Sequence, residues 1–76
     1  MSFIIELYYK APANLRREAD LSERVRKLGG QLDYREEAES VCLTYEFDSL
    51  AKAESAALAL RSEGEHVEGP VTYAAE

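Results

Sequence analysis

Residues 65–73 read Glu-His-Val-Glu-Gly-Pro-Val-Thr-Tyr, a strand-like run interrupted by Gly69-Pro70. Proline has no amide hydrogen for a sheet ladder, so a strand that carries one belongs at a sheet edge or at a bulge. Working back from this run, Gly64 stands where a helix C-terminal cap belongs, and Asp48-Ser49 supplies an N-cap before Leu50, Ala53, Ala57 and Leu60. The spacing predicts a helix from about Ser49 to Glu63. Its alanines favour helix and permit close approach to a sheet.

Upstream, residues 40–47 alternate strictly, with Val41, Leu43, Tyr45 and Phe47 on one side and Cys42, Thr44 and Glu46 on the other. Residues 31–35 alternate as well, with Leu32 and Tyr34 on the apolar side. The short acidic segment between the two runs makes them a hairpin. From Asn14 to Leu28 the apolar positions Leu15, Ala19, Leu21, Val25 and Leu28 recur at helical spacing, opposite Arg17, Asp20, Arg24 and Lys27. Asn14 is the expected N-cap, although Asp20 and Glu23 could form a capping box that starts a shorter helix at Leu21. Asp20 with Arg24 and Glu23 with Lys27 are expected i,i+4 pairs, and Gly29-Gly30 ends the helix. Residues 3–9 carry Phe3, Ile5, Leu7 and Tyr9 on one face and Ile4, Glu6 and Tyr8 on the other, before Lys10-Ala11-Pro12-Ala13 breaks the strand.

The resulting order is βαββαβ. Residues 1–76 are read as a single α+β domain, a ferredoxin-like plait with a four-stranded antiparallel sheet of order 4-1-3-2 and two helices on one face. In this order the Pro70 strand is an edge. At the other edge, Arg35, Glu36 and Glu37 discourage edge-to-edge pairing.

A chain of this length buries only about 60% of the surface its unfolded form exposes, so a second copy that covers an apolar face would supplement a small core. Homodimerisation is therefore expected. The formal net charge of −6 repels the phosphate backbone and argues against nucleic-acid binding. Residues 1–35 carry seven bases and five acids, net +2; residues 36–76 carry two bases and ten acids, net −8. The lone Cys42 cannot close an intramolecular disulfide, and the first residues lack the basic leader and apolar run of a secretory signal. No apolar run approaches the length of a membrane helix. A soluble cytoplasmic protein is the expectation, without membrane association.

The helices are expected to cover Phe3, Ile5, Leu7, Leu32, Tyr34, Val41, Leu43, Tyr45, Val67 and Val71. Ile4, Glu6, Tyr8, Cys42, Thr44 and Glu46 are then left on the opposite face, joined by Asp33, His66 and Glu68. Pairing of the central strands would bring Glu6 near Thr44, with Glu46 and Glu68 close by. Three readings fit: a cation or amine site walled by Tyr8, a dimer face, or the solvated side of an antiparallel sheet. The ligand or interface candidates are Ile4, Glu6, Tyr8, Thr44, Glu46, His66 and Glu68. His66 has no further ligand or orienting group in its sequence neighbourhood, and Cys42 has no adjacent cue for a lowered pKa. No phosphate loop, His-Glu-x-x-His or Gly-x-Ser-x-Gly motif occurs. No catalytic residue, metal site or cofactor is assigned.

RNA-recognition domains share this plait but display aromatics on both central strands, where only Tyr8 qualifies here. Ala11-Pro12-Ala13-Asn14-Leu15 resembles the Pro-containing first turn of small-ligand regulatory domains of the ACT type, and the Gly29-Gly30 helix exit is compatible with theirs. The sequence departs from that type at Ala13, where a glycine is usual. The expectation is a noncatalytic binding or interaction module, homodimeric, taking a protein partner or a small ligand. The alternative is a small enzyme or ligand-binding protein of the dimeric α+β barrel or ACT-like type, in which His66, Tyr8 and Glu6 would have to converge.

Overall fold

In the antiparallel pairing of Ser2–Lys10 (β1) with Ser40–Phe47 (β3), Ile5 faces Tyr45, Leu7 faces Leu43 and Tyr9 faces Val41. Directly paired residues share a face, so these strands present one unbroken apolar surface. The computed structural model describes residues 1–73. The remaining elements are Leu15–Lys27 (α1), Gly30–Glu37 (β2), Leu50–Ser62 (α2) and His66–Tyr73 (β4). The sheet runs β2-β3-β1-β4 with every pairing antiparallel, which is the order 4-1-3-2 read from the other edge. Both helices cover one face, and the architecture is the expected ferredoxin-like α+β plait.

The core joins Ile5, Leu7, Tyr9, Val41, Leu43, Tyr45, Phe47 and Val67 to Leu21 and Val25 of α1 and to Ala53, Ala56, Ala57 and Leu60 of α2. Helix α1 starts where Asn14 caps it, its Oδ1 accepting from the Arg17 amide at 3.0 Å, so the shorter helix starting at Leu21 does not form. Its inward stripe is Glu18, Leu21 and Val25. Ala19 is exposed, and Leu15 and Leu28, at the first helical residue and the C-cap, also stay exposed. The turn that follows Leu15 thus buries a carboxylate where an aliphatic stripe was expected. The ion pairs on α1 differ as well: Arg24 reaches Glu63 beyond α2, and Glu23 pairs with Arg26. Leu50, at the first residue of α2, is likewise exposed.

Gly30 opens β2 beneath Phe47. A Cβ at this position would lie 2.5 Å from Phe47 Cζ and 2.8 Å from Val25 Cγ1, both buried. Gly30→Ala should cost about 1–3 kcal/mol through overpacking. Urea unfolding of the variant checks this, and an unchanged midpoint would mean that Phe47 swings aside freely.

Two bulges alter the outer strands. On β4 the register shifts between Ile4 and Glu6, where Gly69 and Pro70 together oppose the single residue Ile5. Gly69 has φ +101°, a left-handed conformation that suits glycine, and a Cβ there would lie 2.8 Å from the Ile4 carbonyl oxygen. Pro70 therefore lies both at an edge and at a bulge. On β2 the register shifts between Leu32 and Tyr34, with Asp33 as the extra residue. Because side chains alternate with period two, one inserted residue reverses the facing of everything beyond it.

The bulges and the edge position of β2 correct the sequence reading at Tyr34, Val71, Leu32 and Arg35. Tyr34 pairs with Thr44 and Val71 pairs with Ile4, which places both on the face away from the helices, 59% and 53% exposed. Leu32 stays in register with inward-facing Tyr45 but is 44% exposed, since it sits on the outermost strand with a neighbour on one side only. Arg35 is carried to the helix side, opposite Leu43.

Candidate functional site

The open sheet face is a grid set by strand register. One rung across the sheet reads Gln31, Glu46, Ile4 and Val71; the next reads Tyr34, Thr44, Glu6 and Glu68; the next reads Glu36, Cys42, Tyr8 and His66. Tyr73 stands beside Ser2 at one end, and Lys10 opposite Ser40 at the other. All the sequence candidates, Ile4, Glu6, Tyr8, Thr44, Glu46, His66 and Glu68, lie on this one face. Asp33 is taken up by the bulge. The sequence reading missed Tyr34, Val71, Tyr73, Gln31 and Glu36. Of these, Val71 had a signal, because Gly69-Pro70 marks a bulge that reverses the facing after it.

Tyr8 occupies a central strand, and its ring meets His66 edge-on at 5.6 Å between centroids and 79° between planes. His66 Nε2 lies 3.3 Å from Glu68 Oε2. Burial, reinforced by the neighbouring Cys42 thiol and by Glu6 and Glu68, pushes the Tyr8 phenol up to about 12. Burial also raises the Cys42 thiol above its ordinary value, so both groups hold their protons near neutrality. Neither is poised as a nucleophile or a base. Thr44, only 8% exposed, is flanked by Tyr34 and Glu6 and has Cys42 Sγ 4.0 Å from its hydroxyl. Among the described residues, no group of three His, Cys, Asp or Glu side chains is placed to hold a metal ion.

The carboxylates of this face contrast with several on the helix side that are held in ion pairs. On the helix side, Arg35 binds Glu18 and Glu37, Arg17 binds Glu65, Arg24 binds Glu63, Arg26 binds Glu23 and Lys52 binds Asp48. Arg61 donates to the carbonyls of Val67 and Gly69 at 3.0 and 2.8 Å. On the open face, among the described residues, Glu6, Glu36 and Glu46 have no cation within salt-bridge distance, and Glu68 meets only His66. Glu6 and Glu68 are direct cross-strand partners, an unfavourable like-charge opposition.

No protein-family model, curated protein or solved structure matches the chain. No helix among the described residues is long and apolar enough to cross a membrane.

Proposed function

We propose that this chain is a noncatalytic interaction module, acting in the cytoplasm, whose open sheet face docks a protein partner. The observation that carries this reading is the pair of bulges, which turn Tyr34 and Val71 away from the helices and add them to Ile4, Tyr8 and Tyr73. A solvated sheet face normally presents polar residues outward. Here large apolar side chains stand beside carboxylates on successive rungs, and an exposed apolar patch rimmed by polar groups is characteristic of an interaction surface. The enzyme reading has less support. Tyr8 and His66 do meet, but the phenol and the Cys42 thiol are held protonated on a face open to solvent.

Self-association through the same face would bring the two copies' Glu6, Glu46 and Glu68 towards one another, so it should depend on screening. Salt shortens the Debye length from about 10 Å at 0.1 M to about 3 Å at 1 M. Wild type should thus shift from monomer towards dimer as salt rises, while Tyr8→Ala, lacking the central aromatic ring, should shift much less. Sedimentation velocity of both proteins at two ionic strengths checks this. Wild type that stays monomeric at high concentration in both salts would remove self-association through this face.

A further inference from the structure

We infer that the partner is a cationic polypeptide segment lying extended across the open face, its arginine or lysine side chains meeting Glu6, Glu68, Glu46 and Glu36 and its apolar side chains meeting Ile4, Tyr8, Tyr34 and Val71. The inference rests on the reading of this face as a docking surface and specifies what occupies it. The first argument is charge complementarity: among the described residues, Glu6, Glu36 and Glu46 share one face with no cation within salt-bridge distance and Glu68 meets only His66, so this face presents a net negative surface to a cationic partner. The second is spacing. Glu46, the Glu6–Glu68 pair and Glu36 fall on three successive rungs, about 7 Å apart along the strands, a spacing that matches alternate side chains of an extended chain. The third is the interleaving of Tyr8 and Tyr34, whose rings can take an arginine guanidinium by stacking as well as by charge. A second copy of this chain brings the wrong sign to the same surface.

The test is an NMR amide-shift titration of the folded protein with a short synthetic peptide of alternating arginine and valine, and with the same peptide carrying citrulline in place of arginine. The arginine peptide should perturb residues 4–8 of β1 and 42–46 of β3. The citrulline peptide should bind more weakly. The double variant Glu6→Gln/Glu68→Gln should lose roughly three- to tenfold in affinity, the scale of two exposed ion pairs, and Glu54→Gln on α2 should lose nothing. The glutamine variants remove a like-charge opposition, so circular dichroism should show them folded. Shifts centred on α2 or the β2–β3 loop, equal affinity in all variants, or equal binding of both peptides would each overturn the inference. If salt alone drives association through the face and the arginine peptide leaves it unperturbed, the docking surface stands and the cationic partner falls. If neither salt nor peptide perturbs the face, both fall.

Discussion

Leu43→Ala should destabilise the protein by about 2–5 kcal/mol, the range for emptying a fully buried aliphatic position. Leu43 is 0% exposed, sits mid-strand on β3, and lies opposite Leu7 of β1 on one side and Arg35 of β2 on the other. Two features place it in the upper part of that range. Position 43 lies in a strand laddered on both edges, so the backbone cannot collapse into the void. The helices above it are themselves fastened to the sheet, α2 by the Arg61 bonds to β4 and α1 by the Glu18–Arg35 pair. Small domains have a total stability of only about 5–15 kcal/mol, so a loss of this size would leave the variant visibly fractionally unfolded in mild urea. A loss below about 1 kcal/mol would mean that the inward face of β3 has been misassigned.

The alternation of β1 and β3 was legible in the sequence because nothing interrupts it. Every residue from Phe3 to Tyr9 and from Val41 to Phe47 lies on the expected face. This continuity is why Ile4, Glu6, Tyr8, Thr44 and Glu46 could be grouped before any geometry was known. His66 and Glu68 joined them because they precede the β4 bulge, so their alternation with buried Val67 is still intact. Val71 follows the bulge and was placed on the wrong side. Gly69-Pro70 flagged the irregularity without fixing how many residues it would consume. The β2 bulge at Asp33 had no glycine or proline to announce it, and Tyr34, apolar by type, was assigned to the core. The same slip explains Arg35, read as an edge charge that discourages strand pairing but carried by the bulge to the helix side. The partner that receives it, Glu18, is 17 residues away on α1, at a helical position where local periodicity favoured Ala19. Pairings between elements at such separation leave no periodic trace in a single sequence.

Loss of the Glu18 carboxylate is the other substitution expected to have a large effect. Glu18 is buried, and both of its oxygens are engaged. Oε1 accepts from Arg35 Nε at 2.5 Å, while Oε2 accepts from Arg35 Nη2 at 3.0 Å and from the Tyr9 hydroxyl. Tyr9 Oη in turn accepts from the Asn14 amide at 2.8 Å, and Arg17 lies over the Tyr9 ring at 4.8 Å. One carboxylate thus fastens the start of α1 to both β1 and β2. Glu18→Ala removes it and leaves the buried Tyr9 hydroxyl without its acceptor, which should cost about 2–4 kcal/mol. The same group sets a pH dependence. The Arg35 hydrogen bonds hold the Glu18 carboxyl below its ordinary value of 4.5, and the Tyr9 bond lowers it further against the cost of burial. A carboxylate whose pKa is lower in the folded than in the unfolded chain contributes fully above the unfolded value, and that contribution fades as pH falls through the folded one. Wild type should therefore lose stability below about pH 4.5, while Glu18→Gln should start lower at neutral pH and decline less on acidification. The exposed Glu23–Arg26 pair remains in both proteins and supplies a shared background slope. Urea midpoints measured from pH 7 down through the carboxylate range compare the two curves. Parallel curves separated by a constant offset would show that the Glu18 charge contributes nothing to folding, and that the bonds to Tyr9 and Arg35 work equally well through a neutral side chain.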